Sequence, residues 1–401
     1  MRDLSRRARL AATLAAVAAI LGAPMVAAPA GAAGAAPPPE QDGFYSAAAP
    51  SAPAGTILAS RPVTVAALGV PVPVAAWQLL YASTDTRGTP EADVATVLLP
   101  SGPAPSGRRP LVSYQVAEDS LALHCAPSYE MRLGTEGEEP LIAQALAQGW
   151  AVVVPDYEGP FSQWGAGTQA GHAVLDGIRA AERFAPAGLD GVRTPVGMWG
   201  YSGGGQATAW AAELQPAYAP ELSIAGAAEG GVPADIEAVA RTINGGPASG
   251  LYFGAAVGLS RAYPEMDVQS ILNDRGRAAF ATIGTQCIDQ FAREYAFQKL
   301  DDYTTVGDPL PLPRVQRVLA EDHLGQHVPT AALHVYHATF DELIPVAGAR
   351  ALVARYCASG ASIDYEEDLV ADHVSLAATG APGAVAFLAG RFNGLPAPRT
   401  C

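Results

Sequence analysis

Residues 198–210 read MWGYSGGGQATAW, and within them Ser202 stands between Gly200 and Gly204 in the pattern Gly-x-Ser-x-Gly. The apolar residues before the serine predict a short strand, and those after it predict an amphipathic helix. A serine on a tight turn from a strand into a helix is the arrangement that exposes a nucleophilic hydroxyl at the edge of a sheet. The stretch therefore predicts a nucleophile on an α/β fold, and the alternative is a plain glycine-rich turn.

The context of the motif matters more than the motif itself, because about 0.2 matches are expected by chance in a chain with this serine and glycine content. Side chains at positions 200 and 204 would collide with the strand and the helix, which explains glycine at both positions. The backbone N–H of Gly203 opens the helix, where the helix dipole favours a negative charge. We therefore predict that Gly203 contributes to an oxyanion hole.

The sequence on both sides of this turn alternates strands with helices, which predicts an α/β domain whose mostly parallel sheet is covered on both faces. Residues 57–99 form β-rich runs separated by turn signals, which predicts antiparallel strands there. Residues 232–329 are mostly helical and lack the pattern of a buried strand. We predict that they form an inserted helical lid, and a helical subdomain without a gating role is the alternative. The α/β core then comprises residues 37–231 and 330–401.

The first 36 residues differ in composition from the rest of the chain. Four arginines within residues 2–9 precede an apolar run, residues 10–26, and small residues between Ala28 and Ala36 offer cleavage sites. This order is typical of a secretory signal peptide, and an uncleaved membrane anchor is the alternative. We therefore expect a secreted, extracellular protein.

Composition also limits the class of protein. The chain has 401 residues and a net charge of −15, which argues against a nucleic-acid-binding protein. Its four cysteines suggest two disulfides in an exported chain, and the spacing leaves all three pairings open. No two cysteines form a Cys-x-x-Cys pair, which argues against a zinc site.

A nucleophilic serine needs a histidine as general base, which in α/β-hydrolases follows both the serine and the acid in the chain. Of the seven histidines, two precede Ser202 and two lie in or beside the predicted insertion. His334 and His337 fall within a predicted strand, and we interpret them as core or edge residues. His373 remains, on a loop between the last predicted strand and the last helix. We predict His373 as the base.

The acid of such a triad should follow the strand that precedes the last one. Asp341 and Glu342 both lie just after that predicted strand. Asp341 is nearer to the strand end and is therefore preferred over Glu342. The predicted triad is Ser202, Asp341 and His373.

Longer stretches of the sequence resemble the secretory lipase family. They are GYSGGGQATAWAAELQPAYAPELSIAGAAEGGVP around the nucleophile and, elsewhere, LLYASTDTRGTPEADVATVLLP, VSYQVAEDS, HCAPSY, VVPDYEGP, FDELIP and ADHVS, all in the family's order. The resemblance covers nearly all of the chain after the predicted signal peptide. It implies an α/β-hydrolase fold with a helical lid inserted after the nucleophile strand and its helix, which agrees with the insertion read from the pattern.

Carried over residue by residue, the resemblance implies Ser202 as nucleophile, Asp341 as acid and His373 as base. It adds Asp119 to Gly203 as the second residue of the oxyanion hole, whereas spacing alone would make Asp119 a solvated loop acid. The disulfides that it implies are Cys125–Cys287 and Cys357–Cys401.

These residues lead us to expect a secreted serine hydrolase of carboxylic esters, with a triacylglycerol lipase as the first interpretation. A secreted carboxylesterase or acyltransferase on smaller esters is the alternative, and a non-catalytic binding module on the same fold is a remote one. We expect a lipid or other ester substrate, a transient contact with a lipid interface, no cofactor or metal, no nucleic acid and no obligate protein partner. The apolar segment Ser249–Leu259, with small residues such as Gly254, is expected to shape the acyl pocket.

Overall fold

The computed structural model describes residues 36–46, 49–104 and 107–401, so all but the last residue of the predicted signal peptide lies outside the described residues. The strands are β1 (Ile57–Val63), β2 (Ala66–Ala67), β3 (Val70–Pro71), β4 (Ala75–Thr84), β5 (Pro90–Leu99), β6 (Leu111–Gln115), β7 (Ala151–Pro155), β8 (Val196–Tyr201), β9 (Ile224–Gly230), β10 (Leu333–Ala338) and β11 (Ile363–Asp368). The helices are α1 (Pro127–Leu133), α2 (Glu139–Ala147), α3 (Gly167–Arg183), α4 (Gly203–Tyr218), α5 (Ile236–Ile243), α6 (Ser249–Ala262), α7 (Asp274–Ile283), α8 (Ile288–Glu294), α9 (Pro313–Glu321), α10 (Val346–Ala358) and α11 (His373–Phe392).

Nine strands form the central sheet in the order β1-β4-β5-β7-β6-β8-β9-β10-β11. The first three strands of this order pair antiparallel with their neighbours, as predicted for residues 57–99. From β7 to β11 all pairs are parallel, which confirms the mostly parallel sheet. The carboxyl ends of the parallel strands therefore lie along one edge, where loops can bring side chains together.

The sheet is buried on both faces, which is why its central strands are apolar without interruption. In β7, Val153 faces one hydrophobic cluster, together with Ile178 of α3. Its neighbours Val152 and Val154 face the opposite cluster, together with Leu388 of α11. Alternate side chains of a strand point to opposite faces, so three consecutive valines supply both halves of the core.

α11 is long and apolar enough by length and composition to cross a membrane, and among the described residues it alone meets that criterion. Its residues Leu376, Val385 and Leu388 are buried in the cluster beneath the sheet. The helix also contacts β9 and β10. These contacts are typical of the core helix of an α/β domain.

Five helices, α5–α9, lie between β9 and β10, within residues 232–329. They pack around a hydrophobic cluster of their own, in which Phe253, Ile283 and Phe291 are fully buried. Leu121 and Trp164 of the core segment belong to the same cluster, so that the helices rest on loops at the carboxyl edge of the sheet. This position places the helical segment over the end of β8, where Ser202 lies.

Candidate active site

Ser202 stands at the turn from β8 into α4, as the motif predicted. Its φ of +56° is in the left-handed region, which a residue other than glycine rarely adopts. The backbone N–H of Ser202 donates to the carbonyl of Gly230, at 2.9 Å. Strain of this kind persists only where the surroundings hold it, and it is common at functional sites.

The glycines around Ser202 are explained by the backbone that surrounds them. A Cβ on Gly200 would overlap the carbonyl of Gly204, and one on Gly204 would overlap the carbonyl of Gln115. A Cβ on Gly203 would overlap the carboxylate of Asp119. The turn therefore needs glycine before and after the serine, as the sequence indicated.

A chain of two hydrogen bonds joins the serine to an aspartate. The Nε2 of His373 lies 2.9 Å from the Oγ of Ser202, and its Nδ1 lies 2.7 Å from Oδ2 of Asp341. An ionised carboxylate only accepts hydrogen bonds, so Nδ1 carries the proton and Nε2 accepts from the serine hydroxyl. The structure thus brings together the three residues predicted as a triad.

Asp341 is held in place by its own loop. Its side chain is fully buried, and its Oδ1 accepts the backbone N–H groups of Leu343 at 3.0 Å and Ile344 at 2.7 Å. Burial alone raises the pKa of this carboxyl, but the hydrogen bond from His373 and the positive charge of that ring outweigh it and hold the pKa below its usual value. Asp341 is therefore ionised when it faces the histidine.

Glu342, the alternative acid, has a different position. Its Oε2 accepts the backbone N–H of His373 at 3.1 Å, while the imidazole ring faces Asp341. The preference for Asp341 over Glu342 thus agrees with the geometry. Glu342 and the Tyr201 hydroxyl, which donates to the His373 carbonyl at 2.6 Å, both fix the backbone of the histidine.

His337 is a neighbour of the site that the sequence did not indicate. It is fully buried in β10, and its Nε2 donates to the carbonyl of Ile344 at 2.9 Å and lies 3.4 Å from Oδ2 of Asp341. Its Nδ1 is buried without a partner among the described residues. Burial, with the nearby charge of His373, lowers the pKa of His337 despite the opposing effect of the Ile344 carbonyl and Asp341. The imidazole therefore stays neutral beside the aspartate.

Asp119 lies on the loop after β6 and is only 8% exposed, so the interpretation as a solvated loop acid is wrong. Its φ is +43°, and its carboxylate packs against Gly203. Burial raises the pKa of Asp119 to about 6, against the lowering effects of a hydrogen bond from Trp164 and of the charge on His373. Asp119 and Gly203 both line the cavity that contains Ser202 and His373.

That cavity extends from Ser202 into the helical segment and encloses about 1160 Å³ free of protein atoms, solvent at its mouth included. Of its 30 lining residues, 21 belong to residues 232–329, and nearly all of those are apolar. Ala255 and Ala256 of α6 are among them, as the apolar segment predicted. Gly254 is not: a Cβ there would overlap the ring of Trp164 and lie 2.8 Å from Phe291, so the expectation that Gly254 shapes the pocket is wrong.

The structure joins Cys125 to Cys287 and Cys357 to Cys401, the pairs implied by the resemblance. The first links the loop after β6 to the helical segment, and the second links α10 to the end of the chain. Among the described residues, one group has metal-ligand spacing, namely His124, Cys125 and Cys287. Its two sulfurs are bonded to each other, so this group offers no thiolate to a metal.

The model of the secretory lipase family matches residues 127–399. The chain is 40% identical over 372 residues to a protein of Mycobacterium tuberculosis (strain CDC 1551 / Oshkosh) named "Probable inactive lipase". This match covers 89% of this chain and 83% of the relative. It is 37% identical over 388 residues to Lipase A of Arthroderma benhamiae (strain ATCC MYA-4681 / CBS 112371), covering 91% and 82%. The crystal structure of Candida antarctica lipase A in its closed state has a TM-score of 0.84 at 32% identity, covering 92% and 89%.

The family model spans more than half of the chain, and both relatives exceed 30% identity over most of their length. The nine-stranded sheet with its covering helices has the α/β-hydrolase fold of the lipase structure. The chain belongs to the secretory lipase family, a family of carboxylic ester hydrolases.

Proposed function

We propose that this chain is a secreted triacylglycerol lipase that acts through Ser202, His373 and Asp341 and an acyl-enzyme. The observation that carries the proposal is the chain of hydrogen bonds from Ser202 through His373 to Asp341 at one end of a largely apolar cavity. An activated hydroxyl beside such a cavity suits a long-chain ester, because the acyl chain leaves water when it enters.

The first half of the reaction forms the acyl-enzyme. The Oγ of Ser202 attacks the ester carbonyl while its proton moves to Nε2 of His373. Asp341 holds Nδ1–H of the ring and stabilises the imidazolium that forms. His373 then gives the proton to the alkoxide oxygen of the substrate, the ester C–O bond breaks, and the alcohol leaves.

The second half returns the enzyme to its resting form. Water attacks the acyl-enzyme carbonyl and gives a proton to His373, which passes it to the departing oxygen of Ser202. In both halves the backbone N–H groups of Gly203 and Asp119 stabilise the tetrahedral oxyanion, each by about 3 kcal/mol. Their place beside Ser202 in the cavity wall, and the start of α4 at Gly203, support this role.

Residues 232–329 act as the lid in this proposal, because they supply most of the cavity wall and leave the sheet at the carboxyl end of β9. Export is supported by the two disulfides, which form and persist in oxidising compartments. The composition of residues 1–36 supports a signal peptide as its means.

A series of p-nitrophenyl esters from acetate to palmitate, assayed beside a triglyceride emulsion, tests the proposal. We expect the long-chain esters and the emulsion to be hydrolysed, and Ser202→Ala to hydrolyse neither. Turnover confined to acetate and butyrate would replace the lipase by a carboxylesterase, and faster capture of the acyl group by an added alcohol than by water would indicate an acyltransferase. A wild-type protein that hydrolyses no ester in the series would leave a binding module.

A further inference from the structure

Large apolar side chains that point into solvent are concentrated beside the site. In the part of the chain that the structure describes, six such side chains are at least 70% exposed: Leu68, Phe297, Phe340, Leu369, Val370 and Val374. Four of these six lie in two short loop segments, residues 339–345 and 369–374, which carry Asp341 and His373; the second includes the first two residues of α11. Single exposed apolar residues need no explanation, but a group of them marks an interaction surface.

The two loops are adjacent because β10 and β11 end together. Ala338 pairs with Asp368 in the sheet, and the N–H of Thr339 donates to the carbonyl of Asp368 at 2.8 Å. Phe340 and Leu369 directly follow these paired residues. The hydrogen bond between the imidazole of His373 and Asp341 then ties the second loop to the first.

Local hydrogen bonds hold the turn that exposes Val370. The carboxylate of Asp368 accepts the N–H groups of Val370 and Ala371, both at 2.7 Å, in a tight turn. Val370 is 93% exposed in this turn, whereas Ala371 is buried. The exposure of Val370 is thus built into the backbone of the loop. We call Phe340, Leu369, Val370 and Val374 together the triad-loop patch.

The two segments that carry the patch also contribute to the cavity. Leu343, Ile344 and His373, from the same two loops, line the cavity that contains Ser202. An apolar molecule bound to the patch therefore lies against segments that also line the cavity. An unrelated protein bound there would hinder access of the substrate to the cavity. A layer of aggregated substrate would instead supply substrate molecules to the cavity.

We propose that the triad-loop patch seats the protein on the uncharged surface of aggregated lipid; this inference rests on the proposed function and adds the surface through which the substrate is reached. Residues 339–345 and 368–375 contain no lysine or arginine. They contain exposed carboxylates, at Glu342 and Asp372. A patch with acids at its border, on a chain of net charge −15, is repelled by anionic lipid. The occupant that fits is a neutral or zwitterionic surface, bound by apolar area.

A second copy of the chain fits the patch less well. A two-fold interface would place the patch against itself and would bring Glu342 and Asp372 of both copies close together. Like charges opposed across an interface are unfavourable. A dimer through this patch is therefore an outcome that the experiment must be able to detect.

The test uses the double variant Leu369→Ser/Val370→Ser and, as a matched control, Leu68→Ser/Val70→Ser on the β2–β3 hairpin, where the side chains are 95% and 66% exposed. Binding to phosphatidylcholine vesicles and to a triolein emulsion is measured by co-sedimentation. Every protein in this assay also carries the Ser202→Ala substitution, which prevents hydrolysis. We expect the double variant to bind at least about tenfold more weakly, since it removes two apolar side chains from the lipid contact. The control should bind as the protein with Ser202→Ala alone does.

Activity separates this proposal from the function on which it depends. With Ser202 intact, the double variant should keep the kcat/KM of the unaltered protein for p-nitrophenyl acetate and should lose most of its turnover of the emulsion. Failure of the unaltered protein to hydrolyse any ester would refute the lipase, while binding by the Ser202→Ala samples would still report on the patch. Equal binding by double variant and control, binding that requires anionic lipid, or a dimer that the double variant converts to a monomer would each overturn the proposal.

Discussion

The two walls of the candidate active site differ in the residues that they can accommodate. On the core side, Gly200 and Gly204 face backbone carbonyls so closely that no side chain can be added. On the side of the helical segment, Ala255 and Ala256 face the free space of the cavity. One wall is fixed by backbone packing and by the hydrogen bonds of the triad, and the other is fixed only by volume and apolarity.

This difference separates the chemistry from the choice of acyl chain. Changes in the core wall should abolish turnover of every ester, because all esters pass through the same tetrahedral intermediate. Changes in the helical wall should alter which chain fits and leave short esters unaffected.

The largest effects should come from the triad. Ser202→Ala and His373→Ala should each lower kcat by about 10⁶-fold, and Asp341→Asn by about 10⁴-fold, in line with other triads. The loss should be the same for acetate and palmitate esters, since the chemical step is lost. Measuring kcat for the three variants with both esters checks this, and Glu342→Gln is the control that should stay active. An active Asp341→Asn together with an inactive Glu342→Gln would transfer the acid role.

The next largest effect should come from removing a disulfide. Cys125–Cys287 links the core to the helical segment. Its loop of 162 residues and the 44-residue loop of Cys357–Cys401 correspond to about 5 and about 4 kcal/mol of unfolding free energy in the chain-entropy description. Replacing both cysteines of one pair by serine should lower the unfolding free energy accordingly. Chemical denaturation measures this for each pair, and mass mapping without reduction checks the pairing. Recovery of a Cys125–Cys401 peptide would contradict it.

A larger side chain in the helical wall should have a smaller effect on turnover, and one that depends on the length of the acyl chain. Ala256→Phe should lower kcat/KM for palmitate relative to acetate by roughly 10- to 200-fold, the range expected for a methylene-scale change in an apolar pocket. Ala281→Phe, on the exposed face of α7, is the matched control because it adds the same ring away from the cavity. The ratio of the two kcat/KM values is the measurement. If it is unchanged in Ala256→Phe, the helical segment does not select the acyl chain.

The nucleophile turn could be predicted from sequence because its steric demands are local. Gly-x-Ser-x-Gly, a strand before it and a helix after it are all present within thirteen residues. The histidine and the acid followed from chain order, because parallel strands bring their carboxyl ends to one edge. Asp119 could not be placed by spacing, since its burial depends on packing against Gly203, 84 residues further along. The resemblance to the family supplied it.

The error at Gly254 has a different cause. The sequence of α6 is apolar on all sides, so its periodicity does not indicate which face lines the cavity. In the structure, Gly254 and Gly258 face Trp164, while Ala255 and Ala256 face the cavity. Glycine on this helix permits close packing against the core. Choosing between these two faces required the tertiary contacts.

His337 was interpreted as a core residue, and its contact with Asp341 arises because the loop after β10 turns back over the strand. Its Nε2–H donates to the carbonyl of Ile344, whose own N–H donates to Asp341. The imidazole thus fixes the loop that presents the carboxylate and lies 3.4 Å from its Oδ2. Loss of this support should let the carboxylate move relative to His373, and small displacements of catalytic groups are costly.

The smallest predicted effect follows from that contact. His337→Leu should lower kcat for p-nitrophenyl acetate by about tenfold with little change in KM, because a positioning error acts on the chemical step. His337→Gln, whose amide N–H can still donate to Ile344, should restore most of kcat. A fall in folded yield with normal kcat in His337→Leu would make His337 a packing residue only.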